Sequence, residues 1–275
     1  MFSYSSRRMK KTQAALHVAM QSYLAHLHST IEYTMNRLIN ADCLDVLPSL
    51  GHFACCFMDP PDAIGLSHNG YCERSRDGYV EWLARVLEAV VPACDVTWLS
   101  YNAIWDLPIK AWAHAYKAER TLEIKPFVWT YTFGQNRNTD CGPGHRPILR
   151  FRQQDVPLYP DQIKVPSWRE MHGDKRAAKG GRVPLDAWTD FPRVVGNAKE
   201  RRPWHPTQHP EALVERAIKL STREADDVLD LFSGTGTVIR VCKRIGRNTT
   251  SVELNPAYCD EIAKEHGIKV ERWET

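Results

Sequence analysis

Residues 59 to 62 read DPPD and follow directly on the apolar run FACCFM. An acid at that place, ahead of two prolines, is suited to one kind of chemistry. Pro60 and Pro61 fix two successive φ angles and carry no backbone N–H, so the carbonyls beside Asp59 are held in set directions with almost no donor nearby. The stretch therefore offers acceptors, and it suits a substrate group that donates hydrogen bonds, such as an exocyclic amine. The plainer reading is an ordinary strand-to-loop turn that happens to hold Asp and Pro.

A second constellation lies near the carboxyl end, in DDVLDLFSGTGTVIRVCKRIGRNTTSVELNP. Gly234 and Gly236 stand in a turn that opens a helix, and Glu253 follows about 20 residues on, the spacing at which a carboxylate grips both hydroxyls of an adenosine ribose. A dinucleotide fingerprint would need a third glycine at position 239, where this chain has Ile. The loop better suits a nucleoside with a zwitterionic tail, which Thr235 and Thr237 can bond.

These residues need elements to hold them. Residues 53–58 carry no charge and fit a strand buried on both faces of a parallel sheet, with Asp59 at its carboxyl end, where open α/β sheets place their ligand crevices. Strands are expected at Val228–Phe232 and Thr249–Leu254. Between them a helix carries Val238, Ile239, Val241, Cys242 and Ile245 at helical spacing and ends at Gly246.

At 275 residues the chain can bury a full core as one large α/β domain with an insertion or as two modest domains. No run approaches the roughly 20 apolar residues of a membrane-spanning helix. The basic start of the chain, including RRMKK, leads into a stretch interrupted by His17, Gln21 and His26, which reads as a helix outside the core rather than a targeting signal. Eight cysteines without a CxxC pair, two of them (Cys55 and Cys56) in the buried strand, point to reduced thiols in a cytoplasmic protein and to no metal site. The net charge of +3 is unevenly spread. Arg146–Arg202 holds 13 Lys and Arg against 7 Asp and Glu, with six punctuating prolines and with Tyr159, Trp168, Trp188 and, just beyond, Trp204 interleaved. That combination reads either as a nucleic-acid surface or as a solvated, loop-rich insertion.

FSGTGT with VELNP resembles the S-adenosylmethionine motifs of DNA amino-methyltransferases, and MDPP resembles their catalytic motif, usually DPPY or SPPY. HPTQHPEALVERAIKLST resembles the segment, commonly HPTQKP, that closes over the methionine end of the cofactor. NADCLDVLPSL resembles the stretch that contacts adenine, and GHRPILRF a later core strand. With the catalytic motif ahead of the cofactor motif, the order is similar to the permuted beta class. The resemblance implies a doubly wound, seven-stranded, mostly parallel α/β sheet with an inserted target-recognition region. It divides the chain into an N-terminal helical extension (1–35), a catalytic half (36–150), a target-recognition region (151–203) and a cofactor-binding half (204–275).

The resemblance also implies roles. A base flipped from double-stranded DNA, most simply adenine at N6, would donate its amine hydrogens to Asp59 and to the carbonyl of Pro60, with Pro61 holding the turn. Asp42 would accept from the adenine amine of the cofactor, and Thr207 and Gln208 would bond its carboxylate end. Phe232 and Gly234 would line the methionine end and Glu253 would take the ribose hydroxyls, with Cys43, Ser233, Thr235, Gly236, Thr237 and Asn255 also in the cofactor site. Arg176, Lys179 and Arg182 would contact DNA phosphates, and the protein is expected to be a homodimer. N4-cytosine methylation, methylation of RNA or protein, a DNA-binding relative without activity, and a nucleotide oxidoreductase are the competing readings.

This chain departs from the family pattern at Asp62, where an aromatic side chain usually stacks on the flipped base. Tyr71, Trp129 and Phe133 are the alternatives for that role, Tyr71 first. Asp62 is expected to line the pocket but to point away from Asp59, because two adjacent carboxylates would otherwise raise a pKa and spoil the site.

Overall fold

The structure, a computed structural model, describes residues 36–68, 71–73, 75–132, 137–177 and 179–273. The extension expected over residues 1–35 and the aromatic Phe133 lie outside them, as does the side chain of Tyr71. In chain order the strands are β1 (Asn36–Asn40), β2 (Phe53–Met58), β3 (Ser67–His68), β4 (Tyr71–Cys72), β5 (Cys94–Ser100), β6 (Leu122–Thr130), β7 (His145–Gln153), β8 (Ala187–Trp188), β9 (Asp227–Asp230), β10 (Asn248–Glu253) and β11 (Val270–Arg272). The α-helices are α1 (Cys43–Val46), α2 (Tyr79–Val90), α3 (Asp106–Ala118), α4 (Trp168–Met171), α5 (Glu211–Ser221), α6 (Thr237–Ile245) and α7 (Pro256–His266).

Among the described residues nine strands form one sheet in the order β11-β1-β10-β9-β2-β5-β7-β6-β8. The expected count was seven. The two additional strands are short edge pieces, β11 parallel to β1 and β8 parallel to β6, that satisfy part of the backbone left open at each rim. The centre is parallel, with β10 on β9, β9 on β2 and β2 on β5. Strand β7 is reversed, antiparallel to both β5 and β6. Strands from residues 36–150 and from residues 204–275 are thus interleaved in a single sheet.

Apolar alternation on the central strands feeds cores on both faces. Cys56 and Met58 of β2 pack with Leu229 and Leu99 beneath α2, whose buried Tyr79, Trp82, Leu83, Val86, Leu87 and Val90 recur at helical spacing. Cys55 and Phe57 pack on the other face with Val96, Trp98 and Val228, covered by α5 and α6 through Leu213, Val214, Ala217, Val238 and Val241. Burial on both faces is what an uninterrupted FACCFM requires. The basic stretch is not merely solvated: Ile163, Trp188 and Phe191 join this second core, and Trp188 lies 5.7 Å ring to ring from Trp98.

Candidate active site

The parallel strands β10, β9, β2 and β5 all end on one side of the sheet, and because β7 is reversed it begins there. A cavity of about 670 Å³ occupies that side, within the range of small-molecule sites. Glu253, Asp230 and Asp59 mark the strand ends, and His145 and Arg146 come in from the start of β7.

At the cofactor side the chain turns through Gly234 (φ 48°) and Gly236 (φ 71°), both in the left-handed region that favours glycine. A Cβ at Gly236 would come 3.3 Å from Ile262, so α7 sits hard against the turn. Glu253 accepts hydrogen bonds from the backbone N–H of Gly234 (2.8 Å) and of Asn255 (2.8 Å). Burial nevertheless pushes its carboxyl up to about 7. Asp230, at the end of β9, is raised to about 8, first by burial. Its Oδ1 accepts from the Phe232 N–H, while the buried Oδ2 has no hydrogen-bond partner among the described residues. The turn thus presents an acid at ribose spacing and a buried acceptor beside it.

The other end of the cavity is organised by one guanidinium. Arg146, 14% exposed, donates from Nη2 to Asp59 Oδ1 (2.5 Å) and to Asp62 Oδ1 (2.8 Å), from Nη1 to Asp62 Oδ2 (3.0 Å), and from Nε to Ser100 Oγ (2.9 Å). Asn102 donates to Asp62 Oδ2 (3.2 Å). The second oxygen of Asp59 meets His209 Nδ1 at 2.9 Å, and His209 Nε2 lies 2.8 Å from Ser100 Oγ. Burial would raise the Asp59 carboxyl, but Arg146 and then His209 outweigh it and hold the group well below the usual carboxylate range. Arg146 is raised by the same two carboxylates against its own burial.

Asp62 therefore does not point away from Asp59. Both carboxylates converge on Arg146, and the positive charge between them removes the repulsion that the sequence argument anticipated. The following loop is tied down by Glu73, whose Oε1 accepts from the Asp62 N–H (3.0 Å) and whose Oε2 accepts from Ile64 and Leu66 (2.9 Å each). Trp105 Nε1 donates to the Asp62 carbonyl at 2.8 Å. Ala63 adopts φ 53° within this clamp.

The structure gathers most of the residues singled out in the sequence. Asp59, Pro60, Pro61, Asp62, Asp42, Cys43, Thr207, Gln208, Phe232, Ser233, Gly234, Thr235, Thr237 and Glu253 all line the cavity. Gly236 and Asn255 support it from behind, as the N-caps of α6 and α7. Asp42 also caps α1, accepting from the Leu44 N–H. Gln208 spends its amide on the Arg202 N–H and the Glu200 carbonyl, so it braces the preceding loop. Trp129 lines the cavity but is buried, with its indole N–H donated to the Phe191 carbonyl. Arg176, Lys179 and Arg182 lie away from the cavity lining, and Arg176, 79% exposed, is paired with Asp174.

Arg146, His209, Ser100, Asn102, Glu73, Asp230 and Tyr131 were not singled out from the sequence. Tyr131 lines the cavity with Arg193 5.0 Å over its ring. Two of these had a signal. Arg146 stands at the start of GHRPILRF, and His209 replaces the lysine of the common HPTQKP.

The family model for N6/N4 DNA methylases matches residues 53–265, and the chain belongs to that family. It is 38% identical over 142 residues to the type II methyltransferase M.HpaI of Haemophilus parainfluenzae, a match that spans 50% of this chain but 43% of that protein. It is 30% identical over 221 residues to the DNA adenine methyltransferase YhdJ of Escherichia coli (strain K12), covering 74% of this chain and 72% of YhdJ. The fold is shared with the M1.HpyAVI–SAM complex at a TM-score of 0.55 and 18% identity, over 84% of this chain and all of that one. Among the described residues no helix is long and apolar enough to cross a membrane, and no cluster of His, Cys, Asp and Glu could hold a metal ion.

Proposed function

We propose that this protein transfers a methyl group from S-adenosylmethionine to the exocyclic amine of a base in double-stranded DNA, with adenine N6 as the target. The observation that carries the reading is a single cavity with two ends: a glycine turn with Glu253 and Asp230 at one, and the acceptor-only Asp59-Pro60 stretch at the other. S-adenosylmethionine would supply an electrophilic methyl group there.

The residues present fit that cofactor. Glu253 would accept from both ribose hydroxyls, and Asp42 from the adenine amine. The unpartnered Asp230 Oδ2 is a buried acceptor for the α-ammonium of the methionine end. At the target end, Asp59 and the Pro60 carbonyl accept the two amine hydrogens. This draws them out of the ring plane and turns the nitrogen lone pair toward the methyl carbon. The nitrogen lone pair would form the new bond to the methyl group that S-adenosylmethionine gives up, and the surplus amine proton would pass to solvent. Asp59, ionised throughout, stabilises the positive charge that develops on nitrogen. Positioning and charge complementarity supply the acceleration, and no prior deprotonation is needed.

Adenine is favoured by DPP rather than SPP at the catalytic motif, and the relative YhdJ is named for adenine methylation. The family covers both N6 and N4 enzymes, so the deciding experiment reads the product. Purified protein is incubated with duplex DNA and the cofactor, and the digested nucleosides are resolved by mass. N6-methyladenine is expected. N4-methylcytosine would overturn the choice of base, and the absence of any methylated nucleoside the activity itself. The basic face of residues 151–203 is assigned to DNA, and a homodimer is proposed to extend its reach over a duplex. Light scattering of an active sample that shows only monomer would sink the dimer.

A further inference from the structure

Asp59, the carboxylate assigned to the target amine, belongs to a closed ring of hydrogen bonds. Arg146 Nη2 reaches Asp59 Oδ1, Asp59 Oδ2 meets His209 Nδ1, His209 Nε2 meets Ser100 Oγ, and Arg146 Nε returns to the same Ser100 Oγ. The four members come from the end of β2, the end of β5, the start of β7 and the segment before α5. Methyl transfer as described makes no use of His209 or Ser100.

The donors order the ring. Arg146 Nε can only donate, so the Ser100 oxygen accepts from it and its own hydrogen is free for His209 Nε2. With Nε2 accepting, the imidazole hydrogen sits on Nδ1 and is donated to Asp59 Oδ2. The opposite tautomer would set two lone pairs against each other at 2.9 Å. His209 is 8% exposed and is held between Trp129 (5.4 Å ring to ring) and Phe57 (6.0 Å, edge on). Its ring therefore has little room to turn. Each Asp59 oxygen receives one fixed donor and keeps lone-pair capacity for the amine.

We propose that His209 is a positioning residue for methyl transfer, its Nδ1–H fixing the orientation of the Asp59 carboxylate while Ser100 fixes the tautomer and plane of the imidazole. The proposal rests on the methyltransferase reading. It also gives a reason for His in place of the common lysine at this position: a flat ring with one donor and one acceptor can close the circuit through Ser100, whereas an ammonium has donors only.

The test separates the two ring nitrogens. Asn at position 209 presents its amide where Nδ1 stands and can still donate to Asp59. Gln reaches to where Nε2 stands and keeps the hydrogen bond to Ser100, but it has no donor for Asp59. At saturating DNA and cofactor, His209→Gln should lower kcat about 100-fold, the scale of a small misplacement at a reacting centre. His209→Asn should stay within about tenfold of wild type on the same basis. Binding of S-adenosylhomocysteine should not change in either. Equal kcat in the two variants would overturn the proposal. If both lose their thermal transition, Ser100→Ala and Ser100→Thr decide instead. A threonine variant that keeps the turnover missing from the alanine variant supports the ring, and equal turnover in the two removes it. A wild-type protein that methylates no DNA would remove the functional reading itself, whereas an active wild type with equal Asn and Gln variants removes only the role of His209.

Discussion

Asp62 and Arg146 meet through two hydrogen bonds, 2.8 and 3.0 Å long, and the same guanidinium nitrogen that binds Asp62 Oδ1 also binds Asp59 Oδ1. The acid standing where relatives carry an aromatic ring is therefore part of the charge balance around Asp59. Its Oδ2 already accepts from both Arg146 and Asn102, so Asp62 has less acceptor capacity left for a flipped base than Asp59, each of whose oxygens takes one donor.

It follows that Asp62→Tyr, which restores the family's aromatic residue, should damage this protein. Arg146 would be left with Asp59 as its only carboxylate partner and would hold it more tightly, in competition with the target amine. Turnover should fall about tenfold or more, and stability should fall by less than the roughly 3 to 5 kcal/mol of a fully broken buried pair, because Asp59 remains. Asp62→Asn should be milder. Methylation kinetics with thermal melting check both, and an unimpaired Asp62→Tyr enzyme would show that Arg146 does not need its second carboxylate.

Asp59→Asn should lose about 100- to 1,000-fold in kcat, the usual scale for removing one preorganised electrostatic partner of the transition state. The amide oxygen could still accept, but the charge that complements the developing cation would be gone. Cofactor binding should be preserved, as the glycine turn and Glu253 are held by hydrogen bonds that do not involve Asp59. Titration with S-adenosylhomocysteine alongside single-turnover assays separates the two effects.

The fold was legible where a short run of sequence decides its own environment. FACCFM fits a strand covered on both faces, and the glycine turn with Glu253 is read from the acid spacing together with the flanking strands. Arg146 and His209 were not legible because their meaning is topological. Arg146 is 87 residues from Asp59 and reaches it only because β7 runs backwards, so that its start faces the ends of the parallel strands. His209 lies inside a segment matched to the cofactor motif, and nothing local in that segment marks its reach to Asp59. The aromatic residues of the basic stretch divided in a way composition does not reveal, since Trp188 is buried in the second core whereas Trp168 is exposed against His172.

Cofactor affinity should depend on pH through Glu253. Burial raises this carboxyl to about 7 in the free protein, and the ionised form is the better acceptor for two ribose hydroxyls. Binding thus favours loss of the proton, so affinity should weaken as pH falls through about 7, approaching tenfold per pH unit well below it. If the ionised form of Asp230, raised to about 8, meets the ammonium, the fall in affinity should begin near pH 8 and steepen below 7, where both groups take up a proton. Calorimetry with S-adenosylhomocysteine between pH 5.5 and 9 checks this on the scale set by linkage. Glu253→Gln should bind more weakly and lose the acid limb of the profile.

DNA affinity should report the basic stretch. Replacing Arg176, Lys179 and Arg182 together should flatten the dependence of log Kd on log salt by about one for each phosphate no longer neutralised. Arg176 is paired with Asp174, so its share should be smaller than that of Lys179. An unchanged slope would move the DNA surface to other cations, with Arg137 and Arg193 at the cavity the first to test.

Glu73 accepts, through its single carboxylate, from three backbone N–H groups of the loop that follows the prolines. That loop carries Asp62, so its clamp and the charge balance at Asp59 are mechanically linked. Glu73→Ala removes all three acceptors and should lower kcat through disorder at Asp62, with cofactor binding intact. Glu73→Gln is the sharper probe. Its one amide oxygen can replace Oε2 and keep Ile64 and Leu66, but its amino group then faces the Asp62 N–H, donor against donor. Part of the loop should hold while its first residue is released, and hydrogen exchange should quicken at Asp62 more than at Leu66. Turnover should fall between wild type and Glu73→Ala. If Glu73→Gln and Glu73→Ala prove equal in both exchange and kcat, the clamp does not act through Asp62.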